Sequence, residues 1–314
     1  MRTKRLLGEI VGEIERHLPD TPKDKVSLAV ENALNVLGLD VKEDKTQYLL
    51  FLGHKEVAEL GNVILANFEA LTSTEVKGKK KTKVGGDLKK ALEKVLDGEK
   101  AVDLALFGRM LADRPDLGVD AAAQVAHAIS THKVDREFDF YTAVDDLNPK
   151  EETGAGMMGD VEFYSATLYR YAVVDMTKLL KNLQEDKELA IRGTVAFLEA
   201  FALTLPSGKQ NSFAAHNPPL FVAFRAGVGL PRNLATAFEK PVWPSDRLPL
   251  SAVSVQALVQ EWAKFDRVYG PLDPEWACAL DLTGVELGEA LPRVASLTNL
   301  KSEVEKALKA LVEV

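Results

Sequence analysis

The chain has 314 residues, 46% of them apolar, and a formal net charge of −8 at neutral pH. This is enough apolar material for a substantial core, in one large domain or in two. A membrane span is excluded because the most apolar stretch, Ala196 to Leu205, is short and contains a glutamate. Glu9, Glu13 and Glu15 interrupt any signal-peptide core, which predicts a cytoplasmic protein, and the single cysteine, Cys278, excludes an internal disulfide.

The first hundred residues have the 3.6-residue periodicity of amphipathic helices. The pattern predicts four helices, at Leu6 to Leu18, Val26 to Leu37, Lys55 to Leu71 and Leu88 to Leu96, the last with Asp87 as its N-cap. A lysine-rich loop precedes the fourth helix. This part of the chain is therefore predicted to be a helical block with a basic tip.

At Lys100 the periodicity changes to two, which is typical of strands. Ala101 to Phe107 and Gln124 to Val134 are predicted to form a pair of strands. The composition from Asp145 to Asp160 is polar and glycine-rich, which indicates a long exposed arm.

The second half of the chain mixes strands and helices. The predicted elements are a strand at Ser165 to Val174, helices at Thr177 to Leu183 and Leu189 to Leu205, a hairpin from Asn211 to Phe224, an irregular stretch from Leu230 to Pro249, and helices at Val255 to Tyr269 and Leu297 to Val312. This order predicts an α+β fold with a helical block and a protruding arm.

The acidic net charge argues against nucleic-acid binding unless basic residues cluster, because phosphate contacts supply much of the affinity of such proteins. They do cluster: Lys77 to Lys94 holds eight lysines against Asp87 and Glu93, a local balance of +6. An alternative interpretation is a solvated loop and helix face.

The residues that could carry catalysis lack the required spacing. His127 and His132 are five apart and would point to opposite faces of a strand, so hydrogen-bonded histidines are favoured over metal ligands. Asp145 and Asp146 are adjacent, which favours a turn over an acid/base pair. Ser207 to Lys209 lacks the frame of a phosphate loop. We predict no catalytic residue, metal or cofactor.

Six strings, in order, resemble one family. They are GRM (Gly108 to Met110), VAHAISTH (Val125 to His132), FYTAVDD (Phe140 to Asp146), EFYSATLYRYA (Glu162 to Ala172), KQNSFAAHNP (Lys209 to Pro218) and AFEKPV (Ala237 to Val242). With MRTKRL at the start, they resemble the CRISPR RNA-binding backbone subunit of the type I-E Cascade complex, the CasC family. The resemblance covers most of the chain, from about Met1 to Leu300.

The resemblance implies a fold like a right hand. It implies helical fingers over residues 1–100, an RRM-like (ferredoxin-like) palm over 101–134 and 166–314, and a β-hairpin thumb over 135–165. Members of the family begin with a strand and a Ser-Ser-Gln segment, and this sequence starts downstream of both, so we expect a palm without its first strand. Such a sheet would have an open edge and would be prone to associate.

The resemblance also implies an RNA-binding site. Arg109 would contact phosphate, and Met110 would be a palm residue opposite Tyr141 and Met158, thumb residues that flank a displaced nucleotide. The alternative for Tyr141 and Met158 is ordinary packing. Lys209 and Gln210 are either further RNA contacts or residues that keep a sheet edge soluble.

The implied partners are the guide crRNA, target DNA, further copies of the chain arranged head-to-tail, and other Cascade subunits that cap the ends. Lys89, Lys90 and Lys94 would contact target DNA from the fingers, although Glu93 interrupts the run. The implied role is non-catalytic. The alternative is a soluble α/β enzyme with a pocket shaped by the acidic loop from Asp145 to Glu152, and an excess of absorbance at 260 nm that salt removes would distinguish the two.

Overall fold

The computed structural model describes residues 1–73, 86–96, 101–111, 114–143, 145–147 and 157–313. Its helices are α1 (Leu6–Glu15), α2 (Lys23–Val36), α3 (His54–Ala66), α4 (Phe68–Thr72), α5 (Gly86–Val95), α6 (Val102–Phe107), α7 (Met176–Asn182), α8 (Lys187–Leu203), α9 (Gln210–Phe213), α10 (Leu250–Tyr269) and α11 (Leu297–Glu313), with 3-10 turns at Pro115–Leu117 and Ala235–Phe238. Its strands are β1 (Arg2–Thr3), β2 (Val41–Lys42), β3 (Lys45–Thr46), β4 (Leu50–Phe51), β5 (Ala123–Val125), β6 (Ile129–Ser130), β7 (Glu137–Ala143), β8 (Met157–Phe163), β9 (Leu168–Tyr169), β10 (Ala172–Val174), β11 (Phe221–Gly227), β12 (Glu275–Asp281) and β13 (Arg293–Val294).

The chain forms two compact units. The first consists of Met1–Gln124 and Val173–Ala196, and the second of Val125–Ala172 and Phe197–Val314. Both contain helices and strands, so the predicted α+β class is confirmed. The described strands form sheets of two or three strands, and the RRM-like palm, like the division into fingers, palm and thumb, stays a prediction.

The core of the first unit is made by the helices that the periodicity predicted. Helix α1 buries five apolar side chains on one face, α2 and α3 pack theirs against it, and α5 packs against α3. Leucines and isoleucines that are completely buried fill the centre, and each contributes roughly 1.5 to 3 kcal/mol relative to an exposed position. The core of this unit is therefore made chiefly by amphipathic helices, and strand and connecting segments add Leu39, Leu50, Leu52 and Leu111.

Two local features of this unit differ from prediction. The helix expected from Lys55 to Leu71 breaks at Asn67, which has a non-helical φ of −121°, so α3 and α4 are separate. The short strands β1 to β4 were not predicted, because two-residue strands carry no measurable alternation.

The strand predicted at Ala101 to Phe107 is wrong, because this segment forms helix α6. Three consecutive residues, Leu104, Ala105 and Leu106, are buried. A short helix that is covered on several sides shows no polar face, so its apolar run cannot be distinguished from a strand by periodicity. The helix ends at Gly108, whose φ of +73° and close approach to the Val119 carbonyl suit glycine alone.

The second unit is built around the sheet β11-β12-β13. Strands β11 and β12 are antiparallel over seven residue pairs, and β13 is parallel to β12. A small apolar cluster centred on Val255 and Ala279 packs α10 against one face. The hairpin predicted from Asn211 to Phe224 is wrong, because Gln210–Phe213 is a helical turn and β11 pairs with the distant β12.

Two other predicted strands are each divided in two. The expected strand from Gln124 to Val134 contains β5 and β6, and the one from Ser165 to Val174 contains β9 and β10. Strand β6 pairs with β9, and β5 with β10. None of the helices built from the described residues is long and apolar enough to cross a bilayer.

Candidate nucleic-acid interface

The hairpin of β7 and β8 lies within the segment expected to be a thumb, and its apolar side chains are exposed. Its seven pairs run from Glu137 opposite Phe163 to Ala143 opposite Met157. Because side chains alternate along a strand and opposed residues share a face, each of its two faces can be assigned. The predicted arm from Asp145 to Asp160 falls largely outside the described residues, and its end belongs to β8.

One face of the hairpin carries Phe138, Phe140 and Met158, which are 65%, 61% and 64% exposed. The other carries Tyr141 and Met157, both also exposed. Tyr141 and Met158 therefore point to opposite sides, and the structure does not bring them together on one surface. Large apolar groups on both faces of one hairpin fit a wedge that enters a stack of bases and contacts a base on each side.

Tyr141 and Gly159 fit each other closely. They are directly opposite in the register, and a β-carbon added to Gly159 would lie 2.8 Å from the Tyr141 hydroxyl oxygen. The tyrosine ring thus lies over the glycine and is held near the strand. Tyr141 therefore packs across the hairpin on Gly159 and is still partly exposed to solvent.

The charge of the hairpin is negative. Four carboxylates, those of Glu137, Asp139, Asp160 and Glu162, stand on its strands, and Arg136 pairs with Glu162 at 3.3 Å. Carboxylates repel phosphate, so this surface is suited to base faces and unsuited to the phosphate backbone.

Lys209 lies at the base of the hairpin. Its Nζ is 3.5 Å from the Glu162 carbonyl oxygen and 5.7 Å from the centre of the Phe213 ring, and Phe213 in turn is 6.2 Å from the Phe163 ring. The residue has a φ of +58°, an unusual value for lysine. The predicted site residues Lys209, Tyr141 and Met158 thus lie on connected parts of the second unit.

Gln210 turns partly inward. Its amide donates to the Pro206 carbonyl at 2.9 Å, whereas its side-chain oxygen is buried with no hydrogen-bond partner among the described residues. Gln210 is half-buried, and its role as an RNA contact or as an edge residue stays a prediction. The hydrogen bond from the Gln210 amide to the Pro206 carbonyl can fix the loop that carries Lys209.

Each residue of the Gly108-Arg109-Met110 string has a distinct place in the first unit. The side chain of Arg109 is 1% exposed and donates to Glu56 at 2.8 Å, to the Leu117 carbonyl at 3.2 Å and to the Leu96 carbonyl. The guanidinium that we expected to contact phosphate is thus enclosed by its own chain, since Glu56 lies 53 residues upstream. Met110 is 90% exposed and is the side chain that this string offers to a ligand.

Met110 belongs to the first unit and the hairpin to the second. The expected opposition of Met110 to Tyr141 and Met158 therefore stays a prediction.

The lysines expected to contact DNA lie on α5. Leu88 and Leu92 are buried, whereas Lys89, Lys90 and Lys94 are exposed. Glu93, which interrupts the run, accepts a hydrogen bond from Arg114 at 2.8 Å and forms an ion pair with Lys89 at 3.6 Å. Its charge is thus balanced within the unit. The lysine loop from Lys77 to Lys83 lies outside the described residues.

Two of the residues considered for catalysis, His132 and Asp145, have structural partners. His132 contacts the Lys133 carbonyl through Nδ1 at 2.7 Å, and its Nε2 accepts from the Thr167 amide at 3.2 Å. Asp145 accepts from the Leu147 amide, as expected of a turn. In the parts of the chain that are described, no three metal-binding side chains converge. Most of the acidic loop of the enzyme alternative lies outside those parts.

A cleft of about 620 Å³ lies in the second unit, lined by Phe224, Trp276 and Cys278 of the sheet and by Asn299 and Glu303 of α11. Burial, with a smaller effect of Glu303, raises the pKa of the Cys278 thiol to about 11. A thiol that stays protonated at neutral pH is a poor nucleophile. The cleft therefore gives no support to a catalytic cysteine.

Sequence reasoning missed Phe138, Phe140 and Met157, which are as exposed as the hairpin residues it selected. A signal was present in the string FDF, because aromatic residues two apart on a strand share a face. An exposed aromatic face on a two-stranded hairpin cannot belong to a core and therefore points to a ligand.

The described part of the chain thus combines an α+β architecture with a hairpin whose large apolar side chains are exposed on both faces. The family model described as CT1975-like protein matches residues 1–303. The chain therefore belongs to the CT1975-like protein family. No curated protein matches its sequence.

The solved structures that are similar to the chain include two CRISPR surveillance complexes. One, described as "CRISPR RNA-guided surveillance complex, pre-nicking", contains a chain that is 27% identical with a TM-score of 0.83, and the match covers 98% of this chain and 84% of that one. The other, described as "CRISPR RNA-guided surveillance complex", has a TM-score of 0.69 at 22% identity, covers 100% of this chain and 82% of the other, and shows the fold alone.

Proposed function

We propose that the chain is a non-catalytic subunit of a CRISPR RNA-guided surveillance complex, a Cascade of type I-E, and that it binds the guide crRNA along its length. The match over 98% of the chain to a subunit of such a complex supports this assignment. The observation that carries the binding mode is the hairpin with exposed apolar side chains on both faces.

The chemistry of the hairpin suits a guide of any sequence. A protein that must accept every guide cannot read base edges, and it has to leave them free to pair with a target. Phe138, Phe140 and Met158 contact π-faces, which every base has, and the carboxylates beside them keep phosphates away. The wedge therefore separates neighbouring bases without selecting among them.

One such contact is too weak for stable binding. Base stacking on an aromatic side chain contributes roughly 1 to 3 kcal/mol. Several copies arranged head-to-tail on one RNA would add their contacts, and subunits at the ends would stop the array. In this arrangement the hairpin of one copy reaches the next, where Met110 is the exposed apolar residue that can meet it. Lys89, Lys90 and Lys94 on α5 remain our candidates for contact with target DNA.

The experiment is to produce the chain with a guide RNA and the other subunits of the complex, and to measure particle size and RNA content. We expect a ribonucleoprotein particle with excess absorbance at 260 nm. The variant Phe138→Ser/Phe140→Ser/Met158→Ser is expected to lower the RNA content at least about tenfold, because several stacking contacts are lost in every copy.

The matched control is Val228→Asn/Leu230→Asn/Leu282→Asn, which changes three exposed apolar side chains of the second unit outside the hairpin. It is expected to assemble normally. A serine variant that assembles as well as the control would contradict the wedge. A wild-type chain that stays free of RNA at low salt would contradict the function and favour the enzyme alternative.

A further inference from the structure

Two connections of unequal length join the β7-β8 hairpin to the pair of strands β6 and β9. The β6-β9 ladder extends to Thr131, whose amide donates to the Thr167 carbonyl at 3.0 Å, and the hairpin ladder begins with Glu137 opposite Phe163. Residues 132–136 lie on one side and only 164–166 on the other, and we call them the two legs of the hairpin. The two ladders are therefore out of step, so continuous strand pairing does not fix the direction of the hairpin.

Thr131 holds the first leg to the rest of the second unit. Its side chain is buried, and its hydroxyl lies 2.9 Å from the hydroxyl of Ser254 on α10. Its carbonyl accepts from the Val242 amide at 3.0 Å. In a regular antiparallel pair this carbonyl would accept from the Thr167 amide instead. The Thr167 amide therefore needs a different acceptor.

The imidazole of His132 is that acceptor. The Thr167 amide donates to Nε2 of His132 at 3.2 Å, and Nδ1 lies 2.7 Å from the Lys133 carbonyl oxygen. A carbonyl only accepts and an amide N–H only donates, so the ring proton is on Nδ1 and the free lone pair is on Nε2. Protonation of Nε2 would turn this acceptor into a donor that faces the Thr167 amide.

Charged side chains on the segments that pack around His132 come in neighbouring pairs of opposite sign. They are Lys133 with Asp135, Arg136 with Glu162, and, on either side of Val242, Glu239 with Lys240 and Asp246 with Arg247. Two further cations, Arg170 and Lys209, lie over the rings of Phe201 and Phe213. Helix α10 has no charged side chain from Leu250 to Gln260. Carboxylates, lysines and arginines ordinarily keep their charge between about pH 5.5 and 7.5, whereas imidazole changes its charge in this range.

We propose that His132 is a positioning residue whose neutral imidazole fixes the direction of the hairpin, and that its protonation releases the hairpin and weakens RNA binding. This inference rests on the proposed function of the hairpin. With a neutral imidazole the two legs are joined through Thr167. With a protonated imidazole the Thr167 amide loses its acceptor, and the hairpin can turn about its legs. A wedge that is free to turn binds more weakly, because binding has to remove that freedom.

The first test is hydrogen exchange of the Thr167 amide in the full-length chain. His132→Leu, which has no acceptor, is expected to lower the protection factor at least about fivefold at pH about 7.5. His132→Gln is expected to restore it, because the glutamine side-chain oxygen accepts and does not titrate. Equal protection in His132→Leu and the wild-type chain would overturn the proposal.

The second test is the pH dependence of guide-RNA binding, measured with the full chain and the other subunits of the complex. The wild-type chain is expected to bind at least about fivefold more weakly at pH about 5.5 than at pH about 7.5. His132→Gln should bind equally well at both pH values, and His132→Leu should bind weakly at both. A residue that only supported the fold would give no such pH profile. A pH profile that is the same in His132→Gln as in the wild-type chain would overturn the proposal.

The matched control is His127, a histidine of the same unit that is exposed in the connection between β5 and β6. His127→Leu and His127→Gln should keep the wild-type affinity and the wild-type pH profile. Loss of the pH profile in His127→Gln would overturn the assignment to His132.

Failure of this proposal is distinguishable from failure of the proposed function. If the chain binds no guide RNA at either pH and His132→Leu still exposes the Thr167 amide to exchange, the proposed function fails and the positioning of the hairpin by His132 stands. If guide RNA binds and its pH profile does not change in His132→Gln, the proposed function stands and the role of His132 fails.

Discussion

Arg109 and the β7-β8 hairpin differ in which kind of side chain is exposed to solvent. In the first, a guanidinium with 1% exposure is enclosed with Glu56 beneath a core of leucines and isoleucines. In the second, Phe138, Phe140 and Met158 stand in solvent on a two-stranded ribbon. The usual location of charge and apolar surface is reversed in both.

This difference indicates that Arg109 stabilises the fold, whereas the apolar side chains of the hairpin are available for binding. A buried charge persists only when it is paired and hydrogen-bonded, so Arg109 is explained by its own chain. An exposed apolar face on a hairpin lowers the free energy of the isolated chain very little. An exposed apolar face of this kind is typical of an interaction surface.

The largest expected effect is at Arg109. Arg109→Leu should reduce the free energy of unfolding by about 3 to 5 kcal/mol, because it leaves Glu56 as an unpaired buried charge. Urea unfolding followed by circular dichroism measures this. The double variant Arg109→Leu/Glu56→Leu should lose less than the sum of the single variants, because the unpaired charge is gone. Strict additivity would show that the pair is not coupled.

Sequence could predict the helices of the first unit because each has one apolar face and nearby partners. It could not predict α6, whose consecutive residues Leu104, Ala105 and Leu106 are all buried. Nor could it pair β11 with β12, since Phe221 and its partner Asp281 are far apart in the chain. Pairing over that distance is decided by packing, not by local pattern.

The exposed residues of the candidate site could be predicted from sequence where alternation along a strand indicates which side chains share a face. Tyr141 and Met158 were selected from the resemblance, and the alternation of Phe138 with Phe140 along β7 would have added that pair. The phosphate contact of Arg109 stays a prediction, and the motif alone could not show that its guanidinium pairs with Glu56, 53 residues away. Lone charges in a motif therefore need a search for distant partners before a role is assigned.

A smaller effect is expected at Asp281, a second enclosed charge. Its carboxylate accepts from Thr283, Gly284 and Arg293. Burial acts to raise the pKa of Asp281, but the hydrogen bonds from Thr283 and Arg293 outweigh it, so the pKa lies below its usual value. This contribution to stability is therefore present at neutral pH and is lost as the pH falls through the lowered pKa.

Asp281→Asn should cost about 1 to 3 kcal/mol at neutral pH, because one oxygen acceptor becomes an amide donor facing other donors. The cost should shrink as the pH falls below about 3.9, the ordinary pKa of aspartate. Urea unfolding of both proteins across this pH range measures it. A cost that is constant with pH would show that the carboxylate charge does not contribute.

The smallest expected change in the free energy of unfolding is at the hairpin. A small change would show that its apolar side chains do not stabilise the fold. Phe140→Ser in the isolated chain should change the free energy of unfolding by less than about 0.5 kcal/mol, as surface substitutions do. Leu60→Ala, in the fully buried core of the first unit, is the comparison and should cost about 2 to 5 kcal/mol. Urea unfolding followed by circular dichroism measures both. A loss above about 1 kcal/mol for Phe140→Ser would show that this ring packs on its own chain. A near-zero loss together with impaired RNA assembly would mean that the apolar face of the hairpin serves the ligand and not the core.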